Sequence, residues 1–209
     1  MSQYQQTGLD DFFEALRDVR KIALVAAGGL ILLPMLAGLA GYLPPWPAGP
    51  QGSTAIVVIT SLAELVVLIV CFQVLSRASR ATVTRVVVLS AVLVAGLSAV
   101  YLILNALFVH QIPNNPASVV LGCGLSENSK LILANSGRQP TDVCPGEFQL
   151  LLSSAQYETD KVWTKLSVSL IKAALVLAWL GAFGALAALT GVFVYFQRRQ
   201  RGSTSARAS

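Results

Sequence analysis

Residues 54–76 read TAIVVITSLAELVVLIVCFQVLS, an apolar run in which Glu64 is the only charged residue. A helix rises about 1.5 Å per residue, so about 20 such residues cross about 30 Å of hydrocarbon. Three further apolar stretches, 22–43, 86–109 and 166–196, meet the same requirement. With 55% apolar and only 12% charged residues, the chain also has too little charge to cover a water-soluble surface. The sequence therefore predicts an all-α integral membrane protein, a bundle of four transmembrane helices.

The first stretch has an alternative interpretation, because Gly38 and Ala40 could form the small-residue cleavage site of a removable signal peptide. Its apolar run is longer than the about 7–15 residues of a signal-peptide core, and the preceding segment 1–21 is rich in acidic residues. Both features favour a retained helix. Segment 1–21 also has apolar residues at helical spacing, which predicts an amphipathic helix before the first span.

The basic residues follow a membrane topology and are not gathered on one soluble face. Ten of the 15 lie in segment 1–21, in the link 77–85 and in the tail 197–209, whereas the link 44–53 has no charge. The positive-inside rule places the three basic segments in the cytoplasm, which requires an even number of crossings. We therefore expect a plasma (cytoplasmic) membrane protein with both ends inside, whose net charge of +5 does not indicate a nucleic-acid partner.

The long link 110–165 between the third and fourth spans is predicted to lie outside, and it contains Cys123 and Cys144. An oxidising compartment permits these two residues to form a disulfide. Closing a loop of about 20 residues would contribute about 3 kcal/mol in the chain-entropy model. The third cysteine, Cys71, lies near the cytoplasmic end of the second span and is interpreted as a small buried hydrophobe.

The extracytoplasmic link also has local patterns of its own. Residues 117–121 and 130–134 are short apolar runs separated by glycine and asparagine, which predicts a small β-hairpin near the membrane. Residues 147–165 have helical composition without a helix breaker, so this segment is expected to continue into the fourth span as one long helix.

Ionisable side chains within membrane spans are costly and by default indicate function. Glu64 lies about 18 Å from the inner end of its predicted helix, and Ser98 lies at the same depth on the third helix, with Tyr101 about one turn further out. We expect a carboxyl group kept protonated by burial and hydrogen-bonded to Ser98 or Tyr101. Asn105 is a second candidate for an intramembrane polar contact. A proton or ion relay through Glu64 is the alternative.

Two other polar residues are expected at the outer interface. Lys172 lies about 36 Å from the inner end of the fourth stretch, beyond the about 30 Å hydrocarbon core, so its ammonium group should reach the outer headgroups. His110 lies at the outer end of the third span and is interpreted as an interfacial residue.

Signatures of catalysis and of metal or cofactor binding are absent from the sequence. It has no HExxH, no G-x-S-x-G and no glycine-rich phosphate loop, so we expect no catalytic residue, no metal and no cofactor. A thiol oxidoreductase that passes electrons from a disulfide to a quinone would need a further reactive dithiol, usually C-x-x-C, which the sequence lacks. The chain is therefore not expected to be an enzyme.

Small residues recur at four-residue spacing in several spans, for example Ala91, Ala95 and Ala99, and Gly184 with Ala188. Such spacing favours close helix packing within the bundle, with self-association as the alternative. Four spans and a cysteine-bearing third link resemble the tetraspanin plan in topology. However, Gly122-Cys123-Gly124 stands where that family has Cys-Cys-Gly, so the chain is not assigned to it.

Two functions are compatible with this pattern. The first is a non-enzymatic scaffold, assembly factor or effector that contacts a protein partner, or a second copy of itself, in the lipid bilayer. The second is a subunit of an oligomeric channel, pore or transporter with Glu64 near a polar pathway. The small number of intramembrane polar groups favours the first.

Overall fold

The computed structural model describes residues 29, 32–45, 50–75, 78–112, 118–135, 144 and 149–205. The described chain is mostly helical, with two short strands. The elements are α1 (Pro50–Leu75), α2 (Arg80–Phe108), β1 (Val109–Gln111), β2 (Ser118–Val120), α3 (Glu127–Asn135), α4 (Gln149–Ser154), α5 (Thr159–Val162) and α6 (Lys165–Ser205). Residues 32–39 are also helical.

Three helices are long and apolar enough to cross a membrane. They cover Thr54–Leu75, Ala81–Phe108 and Lys165–Tyr195, with mean hydropathies of 2.8, 2.6 and 2.0. A helix suits such segments because its backbone hydrogen bonds are satisfied within the segment, where hydrocarbon offers no partner. These helices make the chain a membrane protein.

The predicted first span, 22–43, is described only in part. Its residues 32–39 are helical, and Tyr42 N–H donates to the carbonyl of Ala37 where that helix ends. Gly41 there has φ of +79°, a conformation that glycine adopts without a Cβ clash. Most of the rest of this span, and the whole predicted amphipathic segment 1–21, lie outside the described residues.

The helix ends have identifiable local causes. Pro50 opens α1, where a missing N–H costs nothing because the first-turn donors have no helical partner. Ser79 precedes α2 and caps it, since its Oγ accepts a 3.3 Å hydrogen bond from the Thr82 N–H. At the other end of α2, β1 begins immediately after Phe108.

The described chain divides into two compact units. The first comprises Met1–Leu43, Ala55–Leu97 and Leu180–Ser209. Its core brings α1, α2 and α6 together where Leu75, Val83 and Val192 form one buried cluster. Small residues on α6 permit close approach, because a Cβ atom at Gly191 would lie only 3.2 Å from Leu68 Cδ2.

The second unit comprises Pro44–Thr54 and Ser98–Trp179. Strands β1 and β2 pair antiparallel with Val109 opposite Val120 and Gln111 opposite Ser118. The expected hairpin between 117–121 and 130–134 is therefore wrong in its pairing. Strand β2 lies within the first of those runs but pairs with the chain that leaves α2, and residues 130–134 belong to helix α3. Local apolar composition did not reveal which segment would lie beside β2.

The expected continuous helix from 147–165 into the fourth span is also wrong. Helix α4 ends at Ser154, and the turn that follows places Gln156 and Tyr157 at φ of 53° and 64°. Tyr157 N–H donates to the carbonyl of Leu152 at 2.9 Å, which satisfies one end of α4. After α5, Trp163 is extended in an antiparallel bridge with Leu125, and α6 starts only at Lys165.

Candidate functional site

Glu64 is the buried carboxyl group of the first unit. It lies on the face of α1 that also carries the buried residues Ile56, Thr60 and Leu68, at four-residue spacing, which places them on one helix stripe. Its side chain is 1% exposed. Neither carboxyl oxygen has a hydrogen-bond partner among the described residues. A buried polar group without a partner is costly, so this position is exceptional within the core.

The buried threonine one turn before Glu64 does not satisfy this carboxyl group. Thr60 lies one turn before Glu64 and is fully buried, but its hydroxyl donates a 2.7 Å hydrogen bond to the carbonyl of Ile56. Such back-bonding is common for threonine within helices. The carboxyl group therefore remains available to accept or donate a hydrogen bond.

Tyr101, a buried residue of α2 in the second unit, contacts Asn105 and Trp179. Asn105 Nδ2 donates to the Tyr101 hydroxyl at 3.2 Å, one turn along the helix. The Tyr101 and Trp179 rings lie 5.3 Å apart at an interplanar angle of 59°, a tilted aromatic contact. Sequence reasoning named Tyr101 and Asn105 separately, and the structure places them in contact with each other. Their spacing of four residues was the available signal.

The predicted contact of Glu64 with Ser98 or Tyr101 stays a prediction. Glu64 belongs to the first unit, whereas Ser98 and Tyr101 belong to the second. Ser98 itself is half-buried on α2.

The two residues expected at the outer interface, His110 and Lys172, both belong to the second unit. His110 is the central residue of β1, where it pairs with Val119 and is half-buried. Lys172 lies two turns into α6 and is half-buried. The position of either residue relative to a headgroup layer stays a prediction. Cys71 is a free, half-buried thiol on α1 that contributes to the apolar cluster around Leu75.

The structure contains the predicted disulfide between Cys123 and Cys144, with the two Cα atoms 4.8 Å apart and a separation of 21 positions in sequence. The chain beside Cys123 is then tied to the segment that precedes α6. The Thr164 N–H donates to the Gly124 carbonyl at 2.8 Å, and the Ser126 N–H donates to the Val162 carbonyl at 2.9 Å. These bonds attach the start of α3 to the entrance of α6.

Serine side chains strengthen the same attachment. Ser126 Oγ donates to the Lys161 carbonyl at 2.7 Å, and Ser129 Oγ donates to the Val162 carbonyl at 2.9 Å. Ser126 Oγ also accepts from the Ser129 N–H at 3.3 Å, which caps α3. The segment is therefore held by backbone and side-chain hydrogen bonds in addition to the disulfide.

Trp163 is the centre of this attachment, and sequence reasoning missed it. Its side chain is 1% exposed, and its indole nitrogen has no partner among the described residues. Gly122 lies directly against it, since a Cβ atom there would come within 2.6 Å of both Trp163 Cβ and Ser167 Oγ. The signal was a tryptophan just before an apolar span together with the glycine that precedes Cys123. Neither the tryptophan nor the glycine indicates in the sequence that the two residues are in contact.

The surface that α3 presents outside the three apolar helices was also missed. Leu131 is 62% exposed and Ile132 is 50% exposed. The next residue, Leu133, is buried. Lys130 and Glu127, on the same helix, form a 2.8 Å ion pair at the surface. Two adjacent large apolar side chains on a short polar helix define a candidate contact surface, here called the α3 patch.

Small residues predicted to pack helices together divide into two groups. Gly184 faces α1 in the first unit, where an added Cβ would contact Val67 Cγ2 at 3.7 Å. By contrast, Ala91, Ala95 and Ala99 on α2 are all exposed. The first group packs helices within the chain, and the second lies on the helix surface.

Over the part of the chain that the structure describes, no group of three or more histidine, cysteine, aspartate or glutamate side chains could hold a metal ion. No protein family, curated protein or solved structure matches this chain. Three features of the described chain are candidates for a functional role: Glu64, the α3 patch and the segment that supports the patch.

Proposed function

We propose that this protein is a non-enzymatic, multi-pass membrane protein that acts as a scaffold, assembly factor or effector through protein–protein contacts in or at the membrane. The α3 patch, Leu131 with Ile132, is the observation that supports this function most strongly. Its helix is attached to the entrance of α6 by the hydrogen bonds of Ser126 and Ser129. A preorganised surface loses less conformational entropy when it binds a partner.

The proposal includes a topology of four spans with both ends in the cytoplasm of a plasma-membrane protein. The three described apolar helices, the helical residues 32–39 and the distribution of basic residues support it. Single cysteines introduced in a Cys71→Ala background test it with an impermeant maleimide. Asn128→Cys should react in intact cells, and Thr204→Cys should react only after permeabilisation. The reverse pattern would contradict this orientation.

The apolar interior of the described helices supports a contact function over a transport function. The buried polar residues of α1 and α2 are Thr60, Glu64, Ser90 and Tyr101, and Thr60 bonds to its own helix. A water-filled pathway normally needs a row of polar side chains. Glu64 by itself does not form such a row.

The native mass of the protein in mild detergent tests the contact function. Wild-type protein should carry a stoichiometric second protein, and the double variant Leu131→Ser/Ile132→Ser should lose it because the apolar contact area is removed. Asn128→Ser, an exposed substitution on the same helix, is the matched control and should retain the partner. A wild-type chain that elutes alone, or equal retention in both variants, would contradict the role of the α3 patch.

The second candidate function is a subunit of an oligomeric channel, pore or transporter, and the unpartnered carboxyl group of Glu64 is the observation that favours it. Buried ionisable groups in membrane spans often lie on ion or proton pathways. Flux into proteoliposomes would be compared between wild type and Glu64→Gln. A ring-sized homo-oligomer whose flux is lost in a folded Glu64→Gln variant supports the channel. Equal flux in the two proteins excludes this role of Glu64.

A further inference from the structure

The part of α6 that packs against the Glu64 stripe of α1 is apolar. Leu68, one turn further along that stripe, forms a buried cluster with Ala187 of α6. Residues 180–187 of α6 read LGAFGALA and contain no polar side chain. This stretch of α6 therefore offers the buried carboxyl group neither a side-chain hydrogen bond nor a side-chain ligand.

Oxygen atoms that could join the carboxyl group of Glu64 in holding a metal cation are few. Thr60 and the half-buried Ser61 supply the hydroxyl groups of the preceding turn of α1, and Ser90 is a buried hydroxyl residue of α2 in the same unit. Main-chain carbonyl groups inside a helix already accept helical hydrogen bonds. Calcium takes about six to eight oxygen ligands, and magnesium requires a near-ideal octahedron of about six. Two carboxyl oxygens with these hydroxyl groups do not reach about six ligands.

The other titratable side chains described in the first unit lie away from Glu64. They are Tyr42, Cys71, Arg85 and Tyr195. Tyr42 and Arg85 are exposed, and Cys71 is seven residues, about 10 Å, further along α1. Tyr195 packs against the buried cluster at Leu75, about 16 Å along α1 from Glu64. Among the described side chains no charge therefore compensates a carboxylate at this position, and burial of an isolated carboxylate is costly enough that the neutral acid is favoured.

We propose that Glu64 is a proton-specific site, which binds and releases one proton and takes no metal cation. A hydronium ion transfers its proton to one carboxyl oxygen, which leaves water and the neutral acid, and release reverses this step. The proton needs a single oxygen atom and removes the charge, whereas a metal cation needs several ligands in place of its water. For transport, this inference rests on the second candidate function: an oligomer of this chain that conducts would carry protons.

Infrared difference spectroscopy of the full-length protein in lipid vesicles tests the site itself. The spectrum of wild type minus Glu64→Gln should show the carbonyl band of a carboxylic acid at neutral pH. This band should shift in heavy water, because the proton exchanges, and should not change when sodium, potassium or calcium ions are added. Glu127→Gln is the matched control at an exposed glutamate and should keep the band. If Glu64→Gln does not fold, Glu64→Asp replaces it and should move the band. A band that is absent, that does not exchange, or that a metal ion removes would overturn the proposal.

Flux measurements separate this site from the second candidate function. In proteoliposomes that contain a pH-indicator dye, a membrane potential should drive proton uptake in wild type and in Glu127→Gln. In Glu64→Gln, proton uptake should fall to the level of vesicles without protein. Uptake of sodium and calcium ions should stay at that level in all three proteins. An exchangeable, metal-insensitive acid band without any flux supports the proton site and contradicts the channel. A sodium or calcium flux that Glu64→Gln abolishes overturns the proposal, because the site would then serve a metal cation.

Discussion

Replacing Glu64 by methionine should stabilise the protein, because the structure gives this carboxyl group full burial and no described hydrogen-bond partner. An unsatisfied buried polar group costs about 1–3 kcal/mol, and methionine has similar length without polar atoms. A repacking cost of less than about 1.5 kcal/mol opposes the gain. Taking the middle of each range, we therefore expect the free energy of unfolding to increase by about 1 kcal/mol.

The matched control is Glu64→Gln, which keeps the shape and an unsatisfied polar group. Its free energy of unfolding should stay within about 0.5 kcal/mol of wild type, the range of substitutions that leave the principal energetic feature unchanged. Far-UV circular dichroism during SDS titration in mixed micelles measures both variants. A Glu64→Met variant that is less stable than wild type by more than about 1 kcal/mol would refute the reasoning, because the carboxyl group would then have a stabilising partner.

A more stable Glu64→Met variant would also help to decide whether the carboxyl group has a role in transport. Functional sites often retain groups that reduce stability, and replacing them increases stability at the expense of activity. If Glu64→Met is more stable and flux is absent in wild type, the carboxyl group serves neither transport nor folding. A stabilised variant that loses a measurable flux would instead favour the channel.

Three further outcomes follow from the second unit and α2. Cys123→Ser should lower the free energy of unfolding by about 3 kcal/mol, measured against wild type with and without reductant, since the loop it closes is of moderate length. Gly122→Ala should lower the free energy of unfolding by about 1–3 kcal/mol, because the added Cβ would overlap Trp163. Gly96→Ala is the control: a Cβ there would meet nothing within 4 Å, so this variant should be as stable as wild type or more stable. Thermal unfolding of the two variants compares them. Tyr101→Phe should cost about 0.5–1.5 kcal/mol by removing a hydrogen-bond acceptor, and an unchanged unfolding midpoint would contradict this.

The three apolar helices and the disulfide could be predicted from the sequence. Membrane crossing depends on transfer free energy summed along one continuous run, which is a property of neighbouring residues such as those in 54–76. Disulfide formation between Cys123 and Cys144 followed from two cysteines in one link and an oxidising compartment. Each inference needed only composition, length and charge.

The local elements of the long link were harder to predict. Residues 130–134 have apolar character that suits either a strand or a helix, and the Ser126 and Ser129 hydrogen bonds to the chain before α6 stabilise the helix. Strand β2 lies where an apolar run was seen, but its partner is β1 at the end of α2. Strand pairing depends on which segments meet in space, and a run's own residues do not specify this.

Sequence by itself determined that this chain is a membrane protein with a disulfide-closed link, because hydrocarbon selects helices by the length and polarity of local runs. Only the tertiary structure decided that Glu64 is buried without a described partner and that Trp163 lies against Gly122. These features arise from residues distant in sequence that pack side by side. Their energies depend on burial and contact, which exist only after the helices assemble.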